Sequence, residues 1–144
     1  RNNGIDQVGH MTGCFVDSNI ILDIFLNDPD WADWSEKMLN HYGVSGDLYI
    51  NPIIYTEVSI VFNRIEELEE AINAAGFQML EIPREALFLA GKAFLQYRRQ
   101  QETKLSPLPD FYIGAHAAVL DVDLITRDVA RYRTHFPTVN LISP

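Results

Sequence analysis

Short apolar runs alternating with helical periodicity constrain this chain more than any other feature. "CFVD" (14–17), "LYIN" (48–51), "FQMLEI" (77–82), "DLIT" (123–126) and "VNLIS" (139–143) have the length and composition of short strands. Around them lie "SNIILDIFL", "WADWSEKMLNHY", "PIIYTEVSIVFN", "RIEELEEAINAAG", "REALFLAGKAFLQYRRQQE", "DFYIGAHAAVLD" and "RDVARYRTHF", each read as a helix. Pro52 suits a first helical position, and Gly76 a C-terminal stop. Strands that alternate with helices predict an α/β fold with a mainly parallel sheet and helices on both faces.

The chain has 144 residues, enough for one compact domain. No internal repeat or low-complexity tract divides residues 11–144, which are read as a single domain. Residues 1–10, "RNNGIDQVGH", show no periodicity and lack a signal-peptide core, so they are expected to be an expression-tag or linker scar with the native start at Met11. No apolar run reaches the roughly 18 residues a membrane span needs. The one cysteine, Cys14, forms no internal disulfide and reads as a small buried hydrophobe. A cytoplasmic location is the expectation.

Charge is segregated. Residues 1–83 carry 3 basic and 14 acidic side chains, residues 84–144 carry 8 and 6, and the sums of −11 and +2 recover the net −9. A uniformly acidic surface repels nucleic acid; this chain keeps a basic second half. Its candidate phosphate contacts are Arg98, Arg99, Lys104, Arg127, Arg131 and Arg133, against the alternative of a solvated surface.

In open parallel sheets, ligands bind outside the carboxyl ends of the strands, at a topological switch point. Asp17 ends the first run and Asp128 follows the fourth. Asp110 opens a helix, and Glu57 lies early in another. Each aspartate alone is equally readable as a helix cap. Glu57 sits among apolar residues, where an unpaired carboxylate is costly unless that position is exposed. Gathered together, two such charges roughly 5 Å apart repel by about 3 kcal/mol at an effective dielectric of 20. A hard cation removes that penalty, and an all-oxygen donor set favours Mg²⁺ or Mn²⁺. Phosphodiester hydrolysis is the chemistry such a site suits.

"FVDSNIILD", "LYINPIIYTEV", "LPDFYIGAHAAV" and "LITRDVARYRTHFPTVNLISP" together resemble PIN-domain proteins. They are most similar to the VapC-type toxin ribonucleases of bacterial toxin–antitoxin pairs. The resemblance implies a three-layer α/β/α sandwich and a Mg²⁺-dependent endoribonuclease, with Mn²⁺ as a substitute. Its four acids fall on Asp17, Glu57, Asp110 and Asp128, and its supporting polar positions on Ser18, Asn19 and Thr126. Asp17, Asp110 and Asp128 would hold metal. Glu57 would bind a second ion or orient the attacking water. The products would carry a 5′-phosphate and a 3′-hydroxyl. The implied partners are RNA, a cognate antitoxin and a second copy of the chain. Trp31 and Trp34, three apart, are candidate antitoxin contacts as well as candidate core.

Other residues have plainer readings. Tyr132, Phe136 and Tyr112 are read as core rather than as base-stacking rings. His116 is read as a core histidine, and Asp23 as a surface residue or a support of the site. The small residues Gly114, Ala115, Ala117 and Ala118 suit either core packing or a homodimer contact. A receiver-type phosphoacceptor wants adjacent acids after the first strand and a late lysine, and both are missing. A haloacid-dehalogenase-like site wants Asp-x-Asp, where this chain has "DSN". A non-catalytic PIN-fold module and a DNA-directed nuclease stand as alternatives to the ribonuclease.

Overall fold

The computed structural model describes residues 12–101 and 108–144. Within them, five strands form one sheet: β1 (Cys14–Val16), β2 (Leu48–Ile50), β3 (Phe77–Met79), β4 (Asp123–Ile125) and β5 (Leu141–Ile142). Their order is β3-β2-β1-β4-β5, and every neighbouring pair is parallel. The expected mainly parallel sheet is thus wholly parallel.

Among the described residues, seven helices accompany the strands: α1 (Ser18–Phe25), α2 (Ala32–Ser45), α3 (Pro52–Ser59), α4 (Ile65–Ala75), α5 (Arg84–Gln101), α6 (Pro109–Leu120) and α7 (Val129–Arg133). All three residues of β1 and of β2 are buried. Since successive strand residues point to opposite faces, helices must cover the sheet on both sides. α1 packs on α2 and α3, and α5 packs along α6. The edge strands β3 and β5 are less buried. Among the described residues, no helix is long and apolar enough to cross a membrane.

Several boundaries differ from the sequence reading, for local reasons. β3 stops at Met79 because its partner β2 ends at Ile50, where Asn51 turns the chain into α3. Asn51 Oδ1 accepts from the Ile53 and Ile54 amides, both at 3.0 Å, and Pro52 occupies the first turn. α3 ends at Ser59 rather than running to Asn63. The Thr56 and Ser59 hydroxyls donate to the Pro52 and Thr56 carbonyls, which competes with helix continuation. α4 ends where expected, on Gly76, at φ 77°.

The core consists of the strands and the inner helix faces. Cys14 lies within it, and burial pushes its thiol up to about 12, so it is not a nucleophile at neutral pH. The small-residue stretch of α6 serves this core. Gly114, Ala115 and Ala117 are buried, and a Cβ on Gly114 would run into the Phe136 ring. Phe136 is itself buried, as read.

Candidate active site

The strand order reverses between β1 and β4, which are adjacent in space but separated in sequence. Val16 pairs with Ile125, so Asp17 and Thr126 leave the sheet side by side at its carboxyl edge. The Asp17 amide continues the ladder to the Ile125 carbonyl at 2.9 Å. This is the switch point at which parallel sheets place ligands.

Asp17 is 2% exposed and held from all sides. Its Oδ1 accepts from the Ser18 amide at 2.8 Å, so the capping reading of Asp17 is correct. Its Oδ2 accepts from the Thr126 hydroxyl and the Tyr132 phenol, each at 2.8 Å, and from Asn19 Nδ2 at 3.4 Å. Burial holds the Asp17 carboxyl above the usual carboxylate range. The Tyr132, Thr126 and Ser18 hydrogen bonds and the Arg131 charge oppose that rise.

The supporting residues form a connected set. Thr126 Oγ1 donates to Asp17 and accepts from the Asp128 amide at 3.0 Å. Asn19 reaches Thr126 Oγ1 at 3.4 Å, and its Oδ1 accepts from the Arg127 amide at 3.3 Å. The Ser18 hydroxyl donates to Glu57 Oε1 at 2.9 Å. Glu57 is half-buried on α3. Its carboxyl is raised chiefly by burial and further by the charges of Asp17 and Asp110, against the Ser18 hydrogen bond and Arg131. Asp110 is therefore near enough for its charge to act on Glu57.

Asp110 and Asp128 do not cap. α6 starts from Leu108, and Asp110 lies inside its first turn. Asp128 precedes α7 without a capping bond; its carboxylate instead meets Arg131 Nε at 2.6 Å. Among the described residues, no three His, Cys, Asp or Glu side chains are positioned to share one ion as they stand. The chemistry of the donor set still suits a hard divalent cation. The charges of Asp17 and Asp110 both act on Glu57, and the half-exposed Arg131 opposes the rise of Asp17 and of Glu57.

The remaining candidates separate into groups. The Arg127 guanidinium grips Asp23 through Nε–Oδ2 and Nη2–Oδ1, both 2.8 Å, and lies 5.1 Å above the Trp31 ring. Asp23 is buried, not on the surface, and its Oδ2 also accepts from Ser35 Oγ at 2.8 Å. Trp31 meets Trp34 edge to face at 6.3 Å. Arg98 and Arg99 stand exposed in the last turn of α5, and Arg133 in that of α7. Lys104 lies outside the described residues.

His116 is buried, as read. The amide of Asn51 is oriented by its capping bonds, so Nδ2 faces His116 Nδ1 at 3.2 Å and makes that nitrogen the acceptor. Burial lowers the ring to about 4, so it is neutral at physiological pH. Tyr132 is buried, but its role is polar as well as packing. Its phenol, raised by burial and by the Asp17 charge, stays protonated and donates to the carboxylate. A signal for it existed: a buried tyrosine hydroxyl requires a partner.

A family model described as "PIN domain" matches residues 14–136. The chain belongs to the PIN-domain family. No curated protein matches it by sequence. Among solved structures, this PIN domain is similar to the VapBC2 complex of Rickettsia felis bound to a promoter DNA fragment. That match has 16% identity and a TM-score of 0.66, and covers 90% of this chain and 97% of the other. It is also similar to a toxin–antitoxin complex from Klebsiella pneumoniae, with 20% identity, a TM-score of 0.64 and coverage of 92% and 98%. FitAcB from Neisseria gonorrhoeae aligns at 18% identity with a TM-score of 0.68, covering 91% and 97%. At such identities the likeness establishes the fold, which these chains share with the PIN domain along nearly their whole length.

Proposed function

We propose that this PIN domain is a divalent-metal-dependent endoribonuclease and the toxin of a toxin–antitoxin pair. The observation that carries the reading is Asp17, a buried carboxylate fixed at the switch point, whose charge acts with that of Asp110 on Glu57. Asp17, Asp110 and Asp128 would hold Mg²⁺, with Mn²⁺ as a substitute. Bound there, the ion would polarise a phosphate oxygen and lower the pKa of water.

The chain's own groups do the rest. Tyr132 and Thr126 fix the orientation of Asp17 through Oδ2. Glu57, braced by Ser18 through Oε1, is placed to orient the attacking water or to bind a second ion. Arg131 neutralises part of the cluster and would contact the RNA phosphate. The similar structures are complexes of toxin with antitoxin, which supports an antitoxin partner for this chain. A homodimer belongs to the same reading, as do antitoxin contacts near Trp31 and Trp34.

Purified Asp17→Asn and Asp110→Asn proteins test the assignment. Both should lose RNA cleavage and Mn²⁺-dependent thermal stabilisation while keeping the wild-type circular dichroism spectrum. Full cleavage by both refutes it. A wild-type chain that neither cleaves nor responds to Mn²⁺ is the non-catalytic module instead. A matched single-stranded DNA cut faster than the RNA makes it a DNA nuclease.

A further inference from the structure

A cleft of about 260 Å³ opens between α5, α6 and the end of α7, directly beside the acid cluster. Its walls include Tyr97, Phe111, His135, Ala130, Asp110 and Arg131. Three of these are aromatic and mutually packed. The Phe111 and His135 ring centroids are 5.3 Å apart at 46°, Tyr97 and Phe111 5.5 Å apart at 63°, and Tyr97 and His135 6.1 Å apart at 76°. Nδ1 of His135 is buried and has no hydrogen-bond partner among the described residues. Buried polar atoms are almost always paired, so a turn of the half-buried His135 ring toward the cleft would let this nitrogen meet a ligand's polar edge.

We propose that this cleft seats one nucleobase of the single-stranded RNA, next to the phosphate being cleaved. The inference rests on the nuclease reading above and adds a specificity site to it. The partly exposed Tyr97 and His135 rings, backed by the buried Phe111 and rimmed by Asp110 and Arg131, suit a base, which offers a π face for stacking and a polar edge for hydrogen bonds. The volume lies just under the roughly 300 Å³ at which drug-sized ligand pockets begin, so it suits one base and not a run of them. Two wall residues also belong to the acid site. Asp110 acts on Glu57, and Arg131 pairs with Asp128, so a base held here places its own or the adjoining phosphate at the carboxylates. A docked protein segment fits less well, because the cleft has room for about one side chain and ends on a carboxylate–guanidinium rim.

The test uses the full chain in EDTA, so that no cleavage intervenes, and tetraribonucleotides carrying 2-aminopurine at each position in turn. Stacking in the cleft quenches the fluorescence at one position only. Ala130→Leu fills the cleft from an exposed helix position and should abolish that quenching. His135→Phe keeps a ring but removes the nitrogen, and should weaken binding of the quenched oligonucleotide roughly fivefold to tenfold. Absence of binding, equal quenching at all positions, or quenching unchanged in both variants overturns the proposal. Position-specific quenching that Ala130→Leu removes supports it even if Mg²⁺ then yields no cleavage; that outcome sinks the nuclease reading alone. Cleavage without quenching does the reverse.

Discussion

The phenol of Tyr132 donates a 2.8 Å hydrogen bond to Oδ2 of Asp17 across 115 residues of sequence. It ties α7 to the end of β1 and gives a buried carboxylate its shortest side-chain support, together with Thr126. Hydrogen bonds to charged groups contribute about 1.5–3 kcal/mol. Tyr132→Phe keeps the ring in its buried seat, so urea unfolding should show a loss of about 2 kcal/mol. With one opposing bond gone, the Asp17 carboxyl should sit higher still, and single-turnover RNA cleavage at neutral pH should fall about tenfold. A variant as stable and as active as wild type would show that Thr126 alone suffices.

Asp17→Asn should abolish activity while keeping the fold, at a stability whose difference from wild type depends on pH. Burial raises the Asp17 carboxyl in the native state, so the native state binds a proton more readily than the unfolded chain. A group raised in this way stabilises fully below its unfolded value of about 3.9, and the contribution is lost as pH rises through the folded value. The neutral amide removes that loss. Its stability relative to wild type should therefore rise from pH 4 to pH 7, read by thermal melts at each pH. His116, lowered to about 4, acts in the opposite direction in this range, so the comparison is with wild type and not between pH values. A relative stability that falls as pH rises would contradict the burial of Asp17.

The alternation that opens the sequence was enough to read every strand, because apolar runs of this length have few other uses. The positions of Asp17 and Asp128 are legible for the same reason, since one directly follows β1 and the other lies three residues beyond β4. The partners of these groups were not. α7 has five residues, too few to display a periodic face, and the target of Tyr132 lies on a distant strand. Asp23 read as a surface residue or a support because a lone acid on a short helix carries no mark of burial; its partner Arg127 is 104 residues away. Sequence position also brings backbones to one rim without fixing rotamers. That is why Asp17 and Asp110 act on Glu57 by charge while, among the described residues, no three such groups are positioned to share one ion.

The Asp23–Arg127 pair should behave as a structural clamp. Asp23 is 3% exposed and the Arg127 side chain 27%, and the pair is bidentate. Removing one partner of a buried pair leaves an uncompensated charge and costs about 3–5 kcal/mol. Arg127→Met should thus destabilise by about 3 kcal/mol, the lower bound, because Ser35 still donates to Asp23. Arg127→Lys should recover only part, lacking the planar fork. Chemical denaturation of both variants checks this. Equal stability of wild type and Arg127→Met would make the clamp incidental.

Gly114→Ala should destabilise although alanine favours helices. The new methyl would overlap the Phe136 ring, and that ring is 3% exposed, with little room to retreat. Overpacking costs about 1–3 kcal/mol, against a helix-propensity gain of about 1. A net loss of about 1 kcal/mol in urea denaturation is expected. Asp110 lies one turn before Gly114 on α6, so a helix displaced by the clash would also lower cleavage.

Arg131→Ala should move two affinities in opposite directions. Arg131 pairs with Asp128 at 2.6 Å, and its charge also acts on Asp17 and Glu57, so it serves as an internal counter-ion. A divalent cation entering the site competes with that guanidinium, and its removal should tighten Mn²⁺ binding in calorimetry. RNA loses a phosphate contact in the same variant. Its affinity should fall, and the slope of log K against log salt should shrink by about one. Arg131 is half exposed, so stability should change little. A residue outside the site would leave both affinities unchanged, and a merely structural one would weaken both. Opposite signs are expected only of a cation standing between the carboxylates and the nucleic acid.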